Sequence, residues 1–364
     1  MSQMNSNLSP HYSEYTLKPA FPDRNNIVPI VLSSSEAYTM VCSVVIASII
    51  RNASASHNYD IVVLDTGIRP EYQETIRALA QNTSNISIRF LYIRDYLQQF
   101  QLSVHDHLSI ETFARFLGQS VLPDYQKIVH LDTDIICNHD IAELYDVDIG
   151  TNLLAAARDP DMCGAVNLSA ERMNYVCATL GLKNPYDYFQ AGVLVLNTAR
   201  MRELYTTDQW LTLAQAQYLY ADQDVLNQYC QGSIQHIDMR WNVLNDCGKY
   251  RVPVVIAAAP SQVQEEYFVA RHHPYIVHYA GIEKPWNEPG VDMEEFFWKY
   301  AQFTPYYAVL RQNSAAGAHT ARVRKLRKKI KDSFMSELLL LFPKGTRRYY
   351  VLAEFRNAIK SMIR

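Results

Sequence analysis

The chain of 364 residues has six cysteines, at 42, 137, 163, 177, 230 and 247, and none stands in a C-x-x-C pair. This spacing argues against a zinc ribbon or a disulfide framework and leaves reduced thiols in a cytoplasmic chain as the expectation. No secretory leader is expected from MSQMNSNLSPHYSEY, which has no basic stretch followed by an apolar one. Long hydrophobic runs are also missing. The most apolar stretch, MVCSVVIASII (40–50), is too short to cross a bilayer. There is no internal repeat and no low-complexity linker.

The formal net charge of −3 hides an asymmetry. From His319 onward, 13 lysines and arginines face only Asp332, Glu337 and Glu354, a surplus of +10, so the preceding 318 residues carry −13. An acidic body with a basic arm is the pattern of a protein whose arm meets an anionic surface.

The first half alternates strand-like and helix-like segments. IVPIVLSS (27–34), DIVVLD (60–65) and ISIRFLYI (86–93) read as strands, with Pro29 weakening the centre of the first. Residues 38–51, 69–82 and 110–122 have helical periodicity. LLAAA (153–157) and AGVLVLN (191–197) are further strands, a helix-like stretch lies near 169–181, and helical segments run on to about Tyr229. This alternation predicts an α/β fold, a mainly parallel Rossmann-like sheet flanked by helices. Residues 260–310 are rich in aromatics, His and Pro without clean periodicity, and read as a lid or acceptor region. The expected organisation is a polar lead (1–25), one catalytic domain (26–310) and a basic tail (319–364).

KIVHLDTDIICNHD (127–140) places Asp132 and Asp134 at the end of an apolar strand. An isolated D-x-D is usually a pair of solvated loop acids, but a carboxylate at the end of a buried strand needs a cation or hydrogen-bond donors. Residues i and i+2 of an extended segment point the same way, so both could face one divalent cation. Oxygen ligands suit Mg²⁺ or Mn²⁺ sharing their shell with phosphates. In IVHYAGIEKPW (276–286), His278 ends another apolar strand, Gly281 permits close backbone approach and Lys284 can meet a phosphate. His278 by itself reads as a core histidine. Joined to two aspartates it would make a mixed N/O site that favours Mn²⁺.

Asp132-Thr133-Asp134, YFQAGVLVLN (188–197), DQDVLN (222–227) and HYAGIEKPW (278–286) together resemble the family 8 retaining glycosyltransferases, in order and spacing. Within that family the likeness is to the bacterial branch that extends lipopolysaccharide or lipooligosaccharide cores. The resemblance implies a GT-A fold and transfer of glucose or galactose from a UDP-sugar to an oligosaccharide or glycolipid acceptor. It further implies Mn²⁺ held by Asp132, Asp134 and His278. Ser33, Ser34, Ser35, Glu36, Ala37 and Tyr38 would form the loop around uracil and ribose. Relatives often carry acidic and amide residues where Ser35 and Ala37 stand. Arg115 matches a donor-phosphate or sugar contact, against the plainer reading of an exposed helix arginine. Gln190 matches the residue beside the reacting sugar carbon, Asp222 and Gln223 match sugar-hydroxyl contacts, and Gly281 and Lys284 match the loop over the pyrophosphate. Without the resemblance, Asp222-Gln223-Asp224 reads as a helix N-terminus.

Two other classes compete. A haloacid-dehalogenase-type phosphatase also begins on D-x-D, but needs a later Gly-Asp motif, and the chain contains no Gly-Asp dipeptide. A non-catalytic nucleotide-sugar-binding protein would keep the uridine loop and could lose metal ligands, the opposite of what stands here. The tail RVRKLRKKIKDSFMSELLLLF (322–342) mixes cationic and apolar residues, predicting an amphipathic anchor on anionic lipid at the inner face of the cytoplasmic membrane. A solvated helix is the plainer alternative. No nucleic-acid-binding fold accompanies the charge.

Overall fold

The computed structural model describes residues 15–102 and 109–318. Ten strands form two sheets: β1 Ile27–Ser34, β2 Asn58–Asp65, β3 Ile86–Tyr92, β4 Ile128–Leu131, β5 Ile135–Cys137, β6 Leu154–Arg158, β7 Phe189–Leu196, β8 Ile234–His236, β9 Val243–Leu244 and β10 Ile276–His278. The larger sheet has the order β3-β2-β1-β4-β7-β6-β8 and the smaller β5-β10-β9. In the larger one only β7 runs antiparallel to its neighbours. The mainly parallel α/β architecture is therefore present. Its central strands are near-continuous apolar runs because both faces are covered. Val31, Val62, Leu64 and Leu194 pack on one side, and Ile30, Ile61, Val63 and Val193 on the other. Pro29 lies one residue before the β1–β4 pairing begins at Ile30, so its missing N–H leaves the central ladder intact.

Several elements differ from the sequence reading. The helical stretch expected over 110–122 is a 3₁₀ segment, Ile110–Leu117, followed by a short α turn, Gly118–Val121. The helix near 169–181 is α over Ala170–Asn174 and widens to π over Tyr175–Thr179. The region 260–310 is not a separate lid. It holds the helix Ser261–His272, β10 and the helix Glu294–Ala301. Its Tyr279, Trp286, Phe297 and Trp298 are buried with Val41 and Val44 of the helix Thr39–Asn52. Periodicity was hidden because short elements alternate there and most aromatics face inward. The described part of the polar lead packs on the body: Leu17 N–H donates to Val121 O (2.8 Å) and Ala20 N–H to Asp60 Oδ2 (3.1 Å). The basic tail (319–364) lies outside the described residues.

The passage between the sheets positions the chemistry. The chain leaves the large sheet at Leu131 and joins the small one at Ile135, so Asp132-Thr133-Asp134 spans the gap. Strand β10 runs antiparallel to β5 with His278 opposite Ile135. That register places a residue 144 positions downstream beside Asp134.

Candidate active site

One oxygen each of Asp132 and Asp134 and one nitrogen of His278 all lie within 4.8 Å of one another. His278 is 2 % exposed, and its Nε2 stands 3.2 Å from Asp134 Oδ1. The orientation of this ring follows from a chain of hydrogen bonds with a fixed start. The backbone N–H of Gly192 can only donate, and it donates to Gln190 Oε1 at 2.5 Å. The same oxygen accepts from Asn242 Nδ2 at 2.7 Å. Asn242 therefore turns its Oδ1 to His278 Nδ1, 2.9 Å away, which must carry the proton. In the neutral ring the Nε2 lone pair is left facing the two carboxylates. An outer-shell partner that fixes the tautomer in this way is typical of a metal-binding histidine. The mixed set of two oxygens and one nitrogen fits a divalent cation.

Space for this arrangement depends on Gly192. A Cβ there would lie 2.4 Å from His278 Cε1 and 2.9 Å from both Asp132 Oδ2 and Gln190 Oε1.

Two cations flank the acids. Arg115 is 3 % exposed, not the exposed helix arginine of the plainer reading. Its Nη2 donates to Asp132 Oδ1 (3.0 Å), its Nη1 to Ala191 O, and its Nε lies 2.7 Å from Asp222 Oδ2. The Nε hydrogen points instead at Thr112 O (3.0 Å), so the contact with Asp222 is an ion pair without a hydrogen bond. Lys284 Nζ donates to Asp134 Oδ2 and to Tyr279 O, both at 2.5 Å. Burial by itself would raise Asp134, but Lys284 and then His278 hold its carboxyl well below the ordinary range. Burial raises Asp132, with Arg115 opposing. Asp222 is pushed up to about 6 by burial against the pull of Arg115.

Two cavities meet at this point. One, of 390 Å³, is lined by Ser33, Ser34, Ser35, Tyr38, Thr133 and Lys284 among others. The other, of 330 Å³, is lined by Arg115, Asp222, Gln223, Asp159, Asp161 and Arg251 among others. Asp132, Gln190 and Gly281 border both. Glu36 and Ala37, grouped with the uridine loop in the sequence, are exposed and absent from either lining, and Glu36 pairs with Arg69 at 2.8 Å. Gly281 has φ +97°, a conformation that suits glycine. Gln223 is tied down at both ends: Oε1 accepts from Ala191 N–H (2.9 Å), and Nε2 donates to Asp159 Oδ2 and Tyr188 OH (both 3.2 Å). Asp224 accepts from Tyr188 OH (2.6 Å), Tyr175 OH (2.7 Å) and the N–H of Tyr220 (2.8 Å), so the helix-terminus reading describes it.

Sequence reasoning passed over Gly192, Asn242, Asp159, Asp161 and Arg251. Gly192 sat inside a recognised motif, YFQAGVLVLN. Asn242 had no local signal, because its partners are 36 and 52 positions away. The Arg251–Asp161 pair (2.9 Å) joins residues 90 apart.

A glycosyltransferase, bifunctional and named WbbM, has a solved structure that superposes with a TM-score of 0.74 at 29 % identity, covering 82 % of this chain and 53 % of that one. Its GT-A architecture is the one described above. A Haemophilus influenzae protein named as a glycosyltransferase is 30 % identical over 217 residues, 58 % of this chain and 62 % of its own length. The lipopolysaccharide 1,2-glucosyltransferase of Escherichia coli is 22 % identical over 208 residues, 56 % of this chain and 54 % of the relative. The chain thus spans little more than half the length of these curated relatives. The family model for glycosyl transferase family 8 matches residues 29–290, which include every residue of the cluster, and the chain belongs to that family.

Proposed function

We propose that the chain is a retaining hexosyltransferase that moves glucose or galactose from a UDP-sugar to a saccharide acceptor of the lipopolysaccharide-core type, with Mn²⁺ as cofactor. The observation that carries this reading is the hydrogen-bond chain from Gly192 N–H to His278, which turns an imidazole lone pair toward Asp132 and Asp134. Asp132, Asp134 and His278 would hold the cation, which supplies Lewis-acid stabilisation of charge growing on the departing UDP.

The chain's own residues account for the rest. The 390 Å³ cavity, with its serine-rich loop and Lys284, suits the nucleotide. The 330 Å³ cavity suits the sugar and acceptor. Lys284 stands at the phosphate side with its ammonium already beside Asp134, ready to donate to a leaving oxyanion. Arg115 lies between Asp132 and Asp222 and opposes the burial that raises both carboxyls. Both acceptor positions of Gln190 Oε1 are taken, and among the described residues no hydrogen bond engages its Nε2. Gln190 can therefore offer only N–H donors to a ligand and is no nucleophile. This favours a front-face route, in which the acceptor attacks from the leaving-group side. The catalytic unit runs from 26 to 310, and the basic tail serves as a peripheral anchor on the inner face of the cytoplasmic membrane.

The test is donor hydrolysis across a panel of nucleotide sugars with Mn²⁺, followed by NMR of the first-formed product. An α-linked product from an α-linked donor is expected; a β-linked one removes the retaining assignment. Asp134→Ala should abolish transfer, and full activity of that variant in EDTA would end the metal hypothesis. Lys284→Ala should lower kcat as well as raise the donor KM, because the charge it meets grows in the transition state. A change in KM alone would reduce Lys284 to a binding contact.

A further inference from the structure

The helix 307–318 presents one stripe to the body. Leu310 is 2 % exposed and Ser314 4 %, while Gly317 completes the spacing of three and four residues. Leu310 packs in the cluster that contains Trp286 and Phe297. At Gly317 the helix backbone meets another backbone directly: a Cβ there would lie 1.6 Å from Asn287 O and 2.8 Å from Asn287 C. A peptide carbonyl has no rotamer by which to step aside. Asn287 is no distant residue, for it lines the same 390 Å³ cavity as Lys284. The N–H groups of Asn287 and Glu288 both donate to Lys284 O, at 3.0 and 3.1 Å, closing a turn that starts at the lysine. Helix, turn and ammonium thus form one continuous contact: Gly317, Asn287, Lys284, Asp134.

We propose that helix 307–318 braces the turn that carries Lys284, that Gly317 is the residue which lets it do so, and that this brace sets donor affinity. Gly317 is a positioning residue, since it touches the turn and not the ligand. The link to the donor rests on the reading of Lys284 given above. Through it, the segment that leads into the basic tail would communicate with the nucleotide cavity.

The test compares Gly317→Ala and the bulkier Gly317→Val with Ala316→Val, a change at an exposed neighbouring position of the same helix. Hydrogen exchange is followed in the peptide spanning 284–290, and UDP binding is titrated in the presence of Mn²⁺. Both Gly317 variants should exchange faster in that peptide and bind UDP more weakly, by an amount on the order of 3- to 10-fold. Ala316→Val should do neither. In an unpacked helix, replacing glycine by alanine raises stability, so a higher Tm for Gly317→Ala with unchanged exchange overturns the brace. Faster exchange with undiminished UDP affinity overturns its link to the donor while Lys284→Ala still weakens UDP. If Lys284→Ala also binds UDP normally, the donor role of Lys284 has failed and the exchange result decides the brace by itself.

Discussion

Gly192 serves the site by lacking a side chain. Its N–H starts the hydrogen-bond chain, and its bare Cα leaves room for His278, Asp132 and Gln190 at once. Gly192→Ala should fold, because the strand β7 tolerates alanine, yet push His278 or Asp132 away. The expected result is weaker Mn²⁺ binding, read by metal titration, with a Tm shift smaller than the affinity loss implies. Asn242→Ala tests the next link. It removes the group that holds His278 Nδ1–H, and a supporting partner of this kind is worth about 10- to 100-fold in metal affinity. Unchanged Mn²⁺ affinity in Asn242→Ala would mean that the histidine orients without it. At this scale the sequence was half legible. Asp132, Asp134, His278 and Lys284 stand out because charged or titratable groups beside apolar strands demand a partner. An asparagine between two strands does not stand out, since its type is ordinary in any loop.

Among the elements, the helix Pro160–Leu168 shows how a terminus carries electrostatics into the cavity. Asp159 caps it, its Oδ1 accepting from Met162 N–H at 3.0 Å. Burial, and then the neighbouring Asp161, pushes the Asp159 carboxyl up to about 6. A carboxyl whose folded pKa is raised holds its proton more tightly in the native chain than in the unfolded one. Its contribution to stability is fully present below the unfolded pKa of about 4. It is lost as pH rises through 6. Asp159→Asn keeps the capping oxygen and cannot ionise. The variant should match the parent near pH 4 and exceed it at pH 8 by about 3 kcal/mol, following the cost of a shift of that size. Thermal unfolding across that range checks it; a difference that does not vary with pH would free Asp159 of this role. The 3₁₀ geometry of Ile110–Leu117 was not legible, because 3₁₀ and α turns share nearly the same apolar spacing. Within this segment Thr112 and Arg115 both stand against Asp222, at 2.5 and 2.7 Å.

At the scale of the whole molecule, the charge split makes the remaining prediction. Among the described residues no helix is long and apolar enough to cross a membrane. A chain ending after Gly317 should still hydrolyse donor, because every motif of the site precedes residue 290. It should no longer sediment with anionic vesicles, since each Lys or Arg near such a surface contributes about 1 kcal/mol. Salt should weaken the attraction of the full-length chain while SELLLLF resists it. Equal sedimentation of the two forms would leave the tail a solvated arm.

The sequence by itself determined the alternation of strands and helices, the family and the identity of the charged residues. These are local matters: periodicity follows from backbone geometry, and a buried acid betrays its need for a cation wherever it stands. Only the tertiary structure decided that the region 260–310 is core, that Arg115 is buried between two aspartates, and that Glu36 and Ala37 are exposed and outside the lining of either cavity. It alone brought Gly192, Gln190, Asn242 and His278 into one hydrogen-bonded line. The reason is physical. Such contacts join residues with no preference for one another in sequence, and the antiparallel register of β5 and β10, not any motif, sets His278 beside Asp134.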